Sequence, residues 1–404
     1  MSRRGLYAAV AGVTVSLIAA ACGSSAPTKA SAGAGGSSKP ITIVLLAEIS
    51  GESAYGVNDF RNGVTTAVDN INSAGGINGQ KINLIRIAMS PVNNQQATAA
   101  YLQALDDHPA AILGLVAGGS QVEGVLADIN RGKVPTLVIG GAAPEVYNGA
   151  TNGSPYVWWT QTATEEQAAA GTTYLVNRLH GTKVGVLTGN TVDDKANLAA
   201  VESTLDASGQ KPAAVATFDE AATDLTQQVI AMKGAGSVID FSYPNPMAVA
   251  IKQLAQNGIT VPQVDGQSIA IDVSAKLVTP SELGNVTGDT PCDPTVSNAS
   301  AGVAAFESQY LKQWGATATD SAATSYDDVY VIKAAVEKAN GSSPSAIQSA
   351  MGSIDVKGLV CSPDYKADGA HELDHSMVEE SFSTTTGQGQ EQQVITEPPL
   401  SAGS

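Results

Sequence analysis

The sequence predicts an α/β protein of two lobes, each built on a doubly wound parallel sheet. From Ile41 onward, short apolar runs typical of strands buried on both faces alternate with amphipathic helical stretches. Because parallel neighbours are joined through a crossover helix, this alternation indicates parallel sheets covered by helices. The alternation pauses at Tyr156–Thr160 and then begins again, and 404 residues are enough for two cores.

The first half supplies four strand–helix units. The opening strand, Ile41–Ala47, is continuously apolar, and the helix that follows the loop Glu48–Ser53 ends at the glycine stop Ala74–Gly76. The next predicted elements are a strand at Ile82–Ala88, a helix at Asn93–Asp107, a strand at Ala110–Leu115, a helix at Ser120–Arg131 and a strand at Pro135–Ile139.

The second half repeats this pattern and then becomes mostly helical. The predicted helices are Glu165–Leu179, Lys195–Ala207, Leu225–Lys233, Met247–Gln256, Ala301–Trp314, Ser321–Ala339 and Pro344–Met351. The predicted strands are Lys183–Leu187, Ala213–Phe218, Ser237–Tyr243 and Met377–Thr384. The polar residues 387–404 are expected to form a flexible tail.

The N-terminus has the pattern of a secretory signal peptide. Two arginines precede Gly5–Ala20, an uncharged stretch that is too short and wrongly flanked for a stable membrane span. Small residues lead into Cys22, as in the bacterial lipobox, whose cysteine is acylated. We expect a signal peptide at 1–21, then lipidated Cys22 and a flexible tether at 22–40. An ordinary signal peptide with an incidental Cys22 is the alternative.

Composition excludes several classes of partner. The chain has 21 Lys and Arg against 38 Asp and Glu, a net charge of −17, and contains no basic run. A nucleic-acid binder needs concentrated positive charge, and acidity opposes electrostatic docking on anionic lipid, so neither is expected. A monomer outside the cell fits this composition.

Two cysteines remain if Cys22 carries lipid. An oxidising compartment would favour a disulfide between Cys292 and Cys361. Two separate buried thiols are the alternative.

The loops after the predicted strands mark a ligand cleft. In open parallel sheets, ligands bind outside the carboxyl ends of the strands. In the first half these ends lead into four loops, most of them rich in Gly, Ser, Ala or Asn: Glu48–Tyr55, Ser90–Asn93, Val116–Ser120 and Gly140–Pro144. Two lobes that face each other with such loops can close on a small molecule.

Ordered motifs from Ile41 to Phe382 resemble those of one family. They are Ser50–Gly56, Arg61–Gly63, Asn70–Asn72, Ala74–Gly79, Ala111–Gly114, Lys133–Pro135, Ile251–Gln253, Asn257–Ile259, Ser325–Asp328, Ala334–Lys338, Gly358, Cys361 and Tyr365. The chain is similar to the branched-chain amino acid (Leu/Ile/Val) binding proteins, the substrate-binding lipoproteins of ABC transporters, which have a type I periplasmic-binding fold. Each motif alone is weak, but their order and spacing together are specific.

The resemblance implies a three-segment hinge, with crossovers near Trp159, Ile269 and Asp374. Lobe 1 would then comprise 41–158 plus 270–374, and lobe 2 would comprise 159–269 plus 375–386. The implied function is that of an extracytoplasmic solute-binding lipoprotein, anchored on the outer face of the cell membrane. It would capture a small amino-acid-like, polar or aromatic molecule by cleft closure and deliver it to an ABC permease and ATPase complex.

The resemblance also implies which residues touch the ligand. In the first lobe these are an aromatic residue that covers the ligand and two loops that offer backbone N–H groups: Tyr55, Gly119, Ser120, Gly141, Ala142 and Ala143. For Ser120, a plain helix N-cap is an equally good interpretation. Ala143 stands where the family often has a hydroxyl group, which would leave only backbone groups there.

At the crossover, Trp158 and Trp159 are expected to supply an apolar wall, with core packing as the alternative for one of the two. In the second lobe, Tyr243 is expected to contact the ligand together with Trp159. Pro246 occupies the position of the acid that usually pairs with the ligand's ammonium group, which argues against a standard branched-chain amino acid. Asp193 or Asp194 could replace that acid, although loop acids are more often solvated.

Enzymatic signatures are weak. His371–His375 reads HELDH and formally matches the zinc-protease pattern, but a turn precedes it and a strand-like run follows it. Phosphate-loop, dinucleotide and serine-elbow motifs are absent from the sequence. We therefore expect no enzymatic activity, metal or cofactor. The alternatives are a ligand-sensing module for a signalling partner and an exported zinc hydrolase.

Overall fold

The computed structural model describes residues 39–47, 54–89, 94–114, 119–138, 154–274, 276–292, 294, 301–354, 356, 360–361 and 376–396. Its strands form two separate sheets, each flanked by helices. The predicted α/β fold class is therefore confirmed.

The first sheet is entirely parallel, with strand order β2-β1-β3-β4-β5. Its strands are β1 (Ile41–Ala47), β2 (Ile82–Ala88), β3 (Ala111–Gly114), β4 (Thr136–Val138) and β5 (Val157–Trp159). The helices between them are α1 (Ala54–Ser73), α2 (Asn94–Asp106) and α3 (Gly119–Gly132).

The second sheet has the order β12-β11-β10-β9-β8-β6-β7. Its strands are β6 (Val184–Thr188), β7 (Ala214–Thr217), β8 (Ser237–Asp240), β9 (Gln263–Asp265), β10 (Val286–Thr290), β11 (Ser376–Phe382) and β12 (Gly389–Thr396). Its helices are α4 (Thr164–Asn177), α5 (Val192–Ala207), α6 (Thr226–Ala231), α7 (Pro246–Gln256) and α8 (Ser268–Ser274), with a 3-10 turn at Pro280–Glu282. Strands β6 to β10 are parallel to one another, whereas β11 is antiparallel to both of its neighbours, β10 and β12.

Strand β1 shows why the apolar runs form central strands. Ile41, Ile43 and Leu45 pack on one face of the first sheet, against α1 and two later helices, α10 (Asp320–Ala339) and α11 (Pro344–Met351). Val44 and Leu46 pack on the other face, against α2 and α3. Both faces of the strand are covered, so every position favours an apolar side chain.

The chain stays with the second sheet longer than the sequence predicted. The boundary near Ile269 is wrong, because α8, the 3-10 turn and β10 all belong to the second sheet. Val286–Gly288 pair with β9, and Val286 shares a core cluster with Phe382 of β11. Strand β10 reads Val-Thr-Gly-Asp-Thr, which lacks the apolar run by which the other strands were recognised.

The predicted flexible tail also needs correction. Residues 389–396 form β12, which pairs with β11 along its length. The strand reads GQEQQVIT and lies at the edge of the sheet, where backbone pairing with β11 and the burial of Ile395 in the core hold it. The polar composition of residues 387–404 thus led to the prediction of a flexible tail where the structure has the edge strand β12.

A disulfide joins Cys292, just after β10, to Cys361. It lies against α10, where the carboxylate of Asp327 accepts hydrogen bonds from the backbone N–H groups of Val360 at 3.2 Å and Cys361 at 2.6 Å. Tyr326 packs its ring against Phe306 of helix α9 (Ala301–Trp314), with centroids 4.7 Å apart. The segment from Ser325 to Asp328 thus holds the surroundings of the disulfide to the first lobe.

Candidate ligand-binding cleft

The strand order gives each sheet one point at which a ligand is expected. In the first sheet β1 lies between β2 and β3, and in the second β6 lies between β7 and β8. At such a switch point the connections leave in opposite directions and open a crevice outside the carboxyl ends of the strands. Strands β1 and β3 continue into residues 48–53 and 115–118, which lie outside the described residues. In the second sheet, the carboxyl ends of β6, β7 and β8 and the segments that follow them lie within the described residues.

Most of the predicted first-lobe contacts cannot be placed at the level of side chains. Tyr55 is the second residue of α1, and Gly119 and Ser120 open α3, each just after the end of a loop at the expected edge. Their side chains, and all of Gly141, Ala142 and Ala143, lie outside the described part of the chain. Their ligand contacts stay predictions.

The paired tryptophans of β5 lie in the core. Trp159 is fully buried with the residues between the first sheet and helices α2 and α3. Trp158 packs on the opposite face, where its indole N–H donates to Oε1 of Gln348 at 3.0 Å. Both therefore serve the packing of the first lobe at its crossover, and a ligand contact by Trp159 stays a prediction.

Tyr243 lies at the switch point of the second sheet, three residues beyond β8. Its backbone N–H donates to Oε2 of Glu220 at 3.1 Å, which brings the segment after β7 against the segment after β8. Gly189 directly follows β6 and has no side chain. A Cβ at this position would lie 1.9 Å from Oε1 of Glu220 and 2.2 Å from Oδ2 of Asp194. Two carboxyl groups therefore converge on Gly189.

Asp194 is held by the start of α5. Thr191 and Asp194 form a capping box, in which Oδ2 of Asp194 accepts from the Thr191 backbone N–H at 2.8 Å and from its hydroxyl at 2.6 Å. The side chain is 1% exposed, and Asp193 beside it is also buried. A side-chain hydrogen bond joins Asp194 to Glu220. The expectation that acids here would be solvated is thus wrong.

Further carboxyl groups lie behind this pair. Asp240 is the last residue of β8 and is fully buried, with Oδ1 accepting from the Ser242 backbone N–H at 2.9 Å. It is the direct cross-strand neighbour of Asp265 in β9. Asp272 of α8 accepts from the Asn245 backbone N–H at 3.2 Å. The Ser242 hydroxyl also hydrogen-bonds to Asp240, and the Ala248 backbone N–H hydrogen-bonds to Asp272.

Burial raises the pKa values of Glu220, Asp240, Asp265 and Asp272. Loss of hydration is the main cause for each, because a low-dielectric site disfavours the charged form. It raises the pKa of Glu220 to about 9, with repulsion from Asp194 adding to the effect. The pKa of Asp240 rises to about 6 and that of Asp272 to about 7, and the pKa of Asp265 lies well above its usual value. This edge of the sheet therefore avoids part of its negative charge by holding protons.

Within the described ranges, no group of three or more His, Cys, Asp or Glu is arranged to hold a metal ion. The HELDH segment, His371–His375, and the predicted lipidation site Cys22 both fall outside those ranges. Within them, no helix is both long enough and apolar enough to span a bilayer.

Comparison with known proteins identifies the family. Residues 40–381 match the family described as periplasmic binding protein. The chain belongs to this family. The resemblance drawn from the ordered motifs is thereby confirmed, and so is its type I fold. A sequence search of curated proteins finds no significant match.

Solved structures with the same fold include proteins with different ligands. LivJ of Streptococcus pneumoniae in complex with isoleucine has a TM-score of 0.77 and 22% identity, covering 89% of this chain and 100% of LivJ. The leucine-binding protein LivK of Thermotoga maritima has a TM-score of 0.77 and 17% identity, covering 88% of this chain and 99% of its own. A solute-binding protein of an ABC transporter of R. palustris in complex with 4-hydroxybenzoate has a TM-score of 0.75 and 18% identity, covering 90% and 98%. At these identities the likeness shows the fold.

The sequence did not point to Glu220 or Asp240 as site residues. Both follow the rule that was applied only to the first lobe, since Asp240 ends a strand and Glu220 follows one at the same edge of the sheet. Applied to the second half of the chain, the rule would have found them. Their burial could not have been found in this way, because it depends on how α5, α7 and α8 cover the edge.

Proposed function

We propose that this chain is an extracytoplasmic solute-binding protein of an ABC importer, which captures a small organic ligand by closing two lobes and is not an enzyme. The observation that carries the proposal is the pair of separate sheets, each with one switch point, in a chain of the periplasmic binding protein family. A guest held between two such edges gains contacts from both lobes only in the closed form, so binding favours closure.

The proposal includes a lipid anchor at Cys22 and delivery of the ligand to a permease and ATPase complex. The signal-peptide pattern and the small residues before Cys22 support the anchor. In the native host, the wild-type protein should fractionate with membranes and incorporate labelled fatty acid. Replacement of Cys22 by Ser should abolish both, while Cys292→Ser serves as a matched control that leaves the anchor in place. Membrane association of the Cys22→Ser protein would contradict the anchor.

A ligand screen tests the binding function. Thermal unfolding of the purified chain is followed with amino acids, amides, amines, aromatic acids and short-chain acids. A true ligand at about one hundred times its Kd stabilises the folded state by about 2.7 kcal/mol. Tyr243→Ala should abolish the shift, because its ring lies at the expected edge, whereas Leu102→Ala on the exposed face of α2 should leave it intact.

Two outcomes would contradict the proposal. One is the absence of any binding compound together with unchanged small-angle scattering in the presence of every candidate. The other is stoichiometric zinc in protein purified without a histidine tag, accompanied by peptide hydrolysis that is lost in the His371→Ala variant. The second outcome would establish the zinc hydrolase instead.

A further inference from the structure

Two crossovers between the lobes lie within the described residues, and the first runs from β5 to α4. Thr160 still belongs to the first lobe, because its backbone N–H and its hydroxyl both donate to the carbonyl oxygen of Val138 in β4 at 3.1 Å. Thr162 belongs to the second lobe, because its carbonyl oxygen accepts from the side chain of Gln167 in α4 at 2.6 Å. The chain therefore passes between the lobes at Gln161, which is 2% exposed.

The second crossover leaves the second sheet at the end of β10 and is equally short. Thr290, the last residue of β10, pairs with Val378 of β11. Cys292, two residues later, is buried in a core cluster with side chains of α9 and α10. The chain therefore passes between the lobes at Pro291, whose ring fixes its own φ angle.

The first-lobe side of this second crossover is held by a covalent bond and by hydrogen bonds. The disulfide joins Cys292 to Cys361, and the carboxylate of Asp327 in α10 accepts from the backbone N–H groups of Val360 and Cys361. Helix α10 packs against the first sheet, and α9 donates side-chain hydrogen bonds to α1. The cross-link thus attaches one end of the crossover to the body of the first lobe.

The residue after Asp327 contacts the other crossover. Asp328 is fully buried, and a hydrogen bond joins its carboxyl group to the side chain of Thr160. Two successive residues of α10 therefore hold the first-lobe ends of both crossovers. Bending between the lobes is left to Gln161 at the first crossover and to Pro291 at the second.

We propose, on the basis of the solute-binding function above, that the Cys292–Cys361 disulfide is a hinge restraint, which together with Asp327 fixes the second crossover to the first lobe and confines its bending to the residues around Pro291. A few residues at the ends of elements absorb the motion of a hinge, so a restraint next to the pivot limits how far the lobes swing apart. Without the cross-link, Cys292 moves with the second lobe and open forms become more populated. The apparent affinity for a ligand of the closed form then falls by the factor by which the closed fraction falls.

This role differs from that of a disulfide that only stabilises the fold. A cross-link contributes to stability chiefly by restricting the unfolded chain. An effect of that kind leaves the distances within the folded protein unchanged. The hinge restraint instead changes the distance between the lobes in the folded state, which can be measured without any ligand.

Distances between the lobes test the hinge restraint on the purified, ligand-free chain. Helix α3 of the first lobe and α5 of the second contact each other, and Ala127 and Glu202 are exposed positions on these helices. Both positions are substituted with p-acetylphenylalanine, which takes a spin label without the use of cysteine, and double electron–electron resonance measures the label separation. Cys292→Ser combined with Cys361→Ser should shift the distribution to longer distances and broaden it.

Two further variants separate the hinge restraint from a loss of stability. Asp327→Asn keeps the disulfide but removes the carboxylate that accepts from Val360 and Cys361, and it should broaden the distribution less than the double variant does. Leu254→Ala removes a buried side chain of α7 from the core of the second lobe and lies in neither crossover. It should lower the unfolding midpoint and leave the distribution of the wild type.

Circular dichroism verifies that each variant is folded at the temperature of the measurement. An unchanged distribution in the folded double variant, or an equal broadening in Leu254→Ala, would overturn the hinge restraint. If the double variant does not fold, Asp327→Asn decides, and a distribution equal to that of the wild type would overturn the proposal. The solute-binding function fails by a different result, namely a wild-type chain that none of the screened compounds stabilises or closes.

Discussion

The buried carboxyl group of Asp272 should make the stability of the protein fall as pH rises. The side chain is fully buried in α8, and loss of hydration raises its pKa from 3.8 to about 7. The unfolded chain releases this proton near pH 4, whereas the folded chain holds it to about pH 7. The stabilisation is therefore complete below pH 4 and is lost as pH rises through 7.

The size of the effect follows from the pKa difference. Each unit corresponds to about 1.4 kcal/mol, so the full loss is about 4 kcal/mol, of which 2–3 kcal/mol falls between pH 5 and pH 8 on an order-of-magnitude basis. Asp272→Asn removes this dependence, and its side-chain oxygen can still accept from the Asn245 N–H. The free energy of unfolding of the wild type, measured relative to the variant, should drop by that amount between the two pH values.

Urea unfolding at pH 5 and pH 8, followed by circular dichroism, measures this difference. Other buried acids contribute to the pH dependence of both proteins, so subtraction isolates Asp272. Asp107→Asn, which removes an exposed carboxylate at the end of α2, serves as the control and should leave the wild-type slope unchanged. A wild-type–variant difference that is constant within about 0.5 kcal/mol between the two pH values would refute the burial argument.

Three further predictions concern stability. Replacing Cys292 and Cys361 by Ser opens a crosslink between residues 69 positions apart, which should cost about 4 kcal/mol in urea unfolding; a loss below 1 kcal/mol would contradict this. Gly63→Ala would place a methyl group 2.2 Å from the carbonyl oxygen of Ala322, where α1 meets α10, and should lower the free energy of unfolding by about 1–3 kcal/mol; an unchanged midpoint would contradict the close packing. Asp59→Ala leaves two buried hydroxyl groups, one from α9 and one from the residue before α10, without their acceptor and should cost about 1–3 kcal/mol by the same assay, whereas no loss would mean that water replaces the carboxylate.

The sequence was sufficient wherever an element is held by apolar burial. Strand β1 was predicted with its observed bounds, Ile41–Ala47, because both of its faces are covered and every position except Thr42 is apolar. The strands that were missed are held differently. Strand β10 contains Gly and Asp and is held in the sheet by hydrogen bonds to β9 and β11. Strand β12 is mostly polar and pairs with β11 at the edge of the sheet. Pairing with a partner distant in sequence leaves no periodic pattern in the strand itself.

The site could be predicted only in part, for a related reason. Tyr243 was expected at the edge of the second sheet because strand ends can be read from an apolar run, and it lies there. The importance of Glu220 and Asp194 arises from burial and mutual approach, which the absent side chain of Gly189 permits. The sequence does not distinguish an acidic residue that is buried from one in a solvated loop. Because loop acids are more often solvated, the sequence favoured that interpretation.

Closure of the two lobes on a bound molecule is the central claim, and small-angle X-ray scattering measures it most directly. Scattering is recorded on the purified mature chain alone and at saturating concentration of the compound that binds most tightly by titration, with the Tyr243→Ala variant as the control. Closure predicts a smaller radius of gyration for the wild type with the compound and no change for the variant. A radius that stays the same in the wild type at full occupancy would contradict capture by closure.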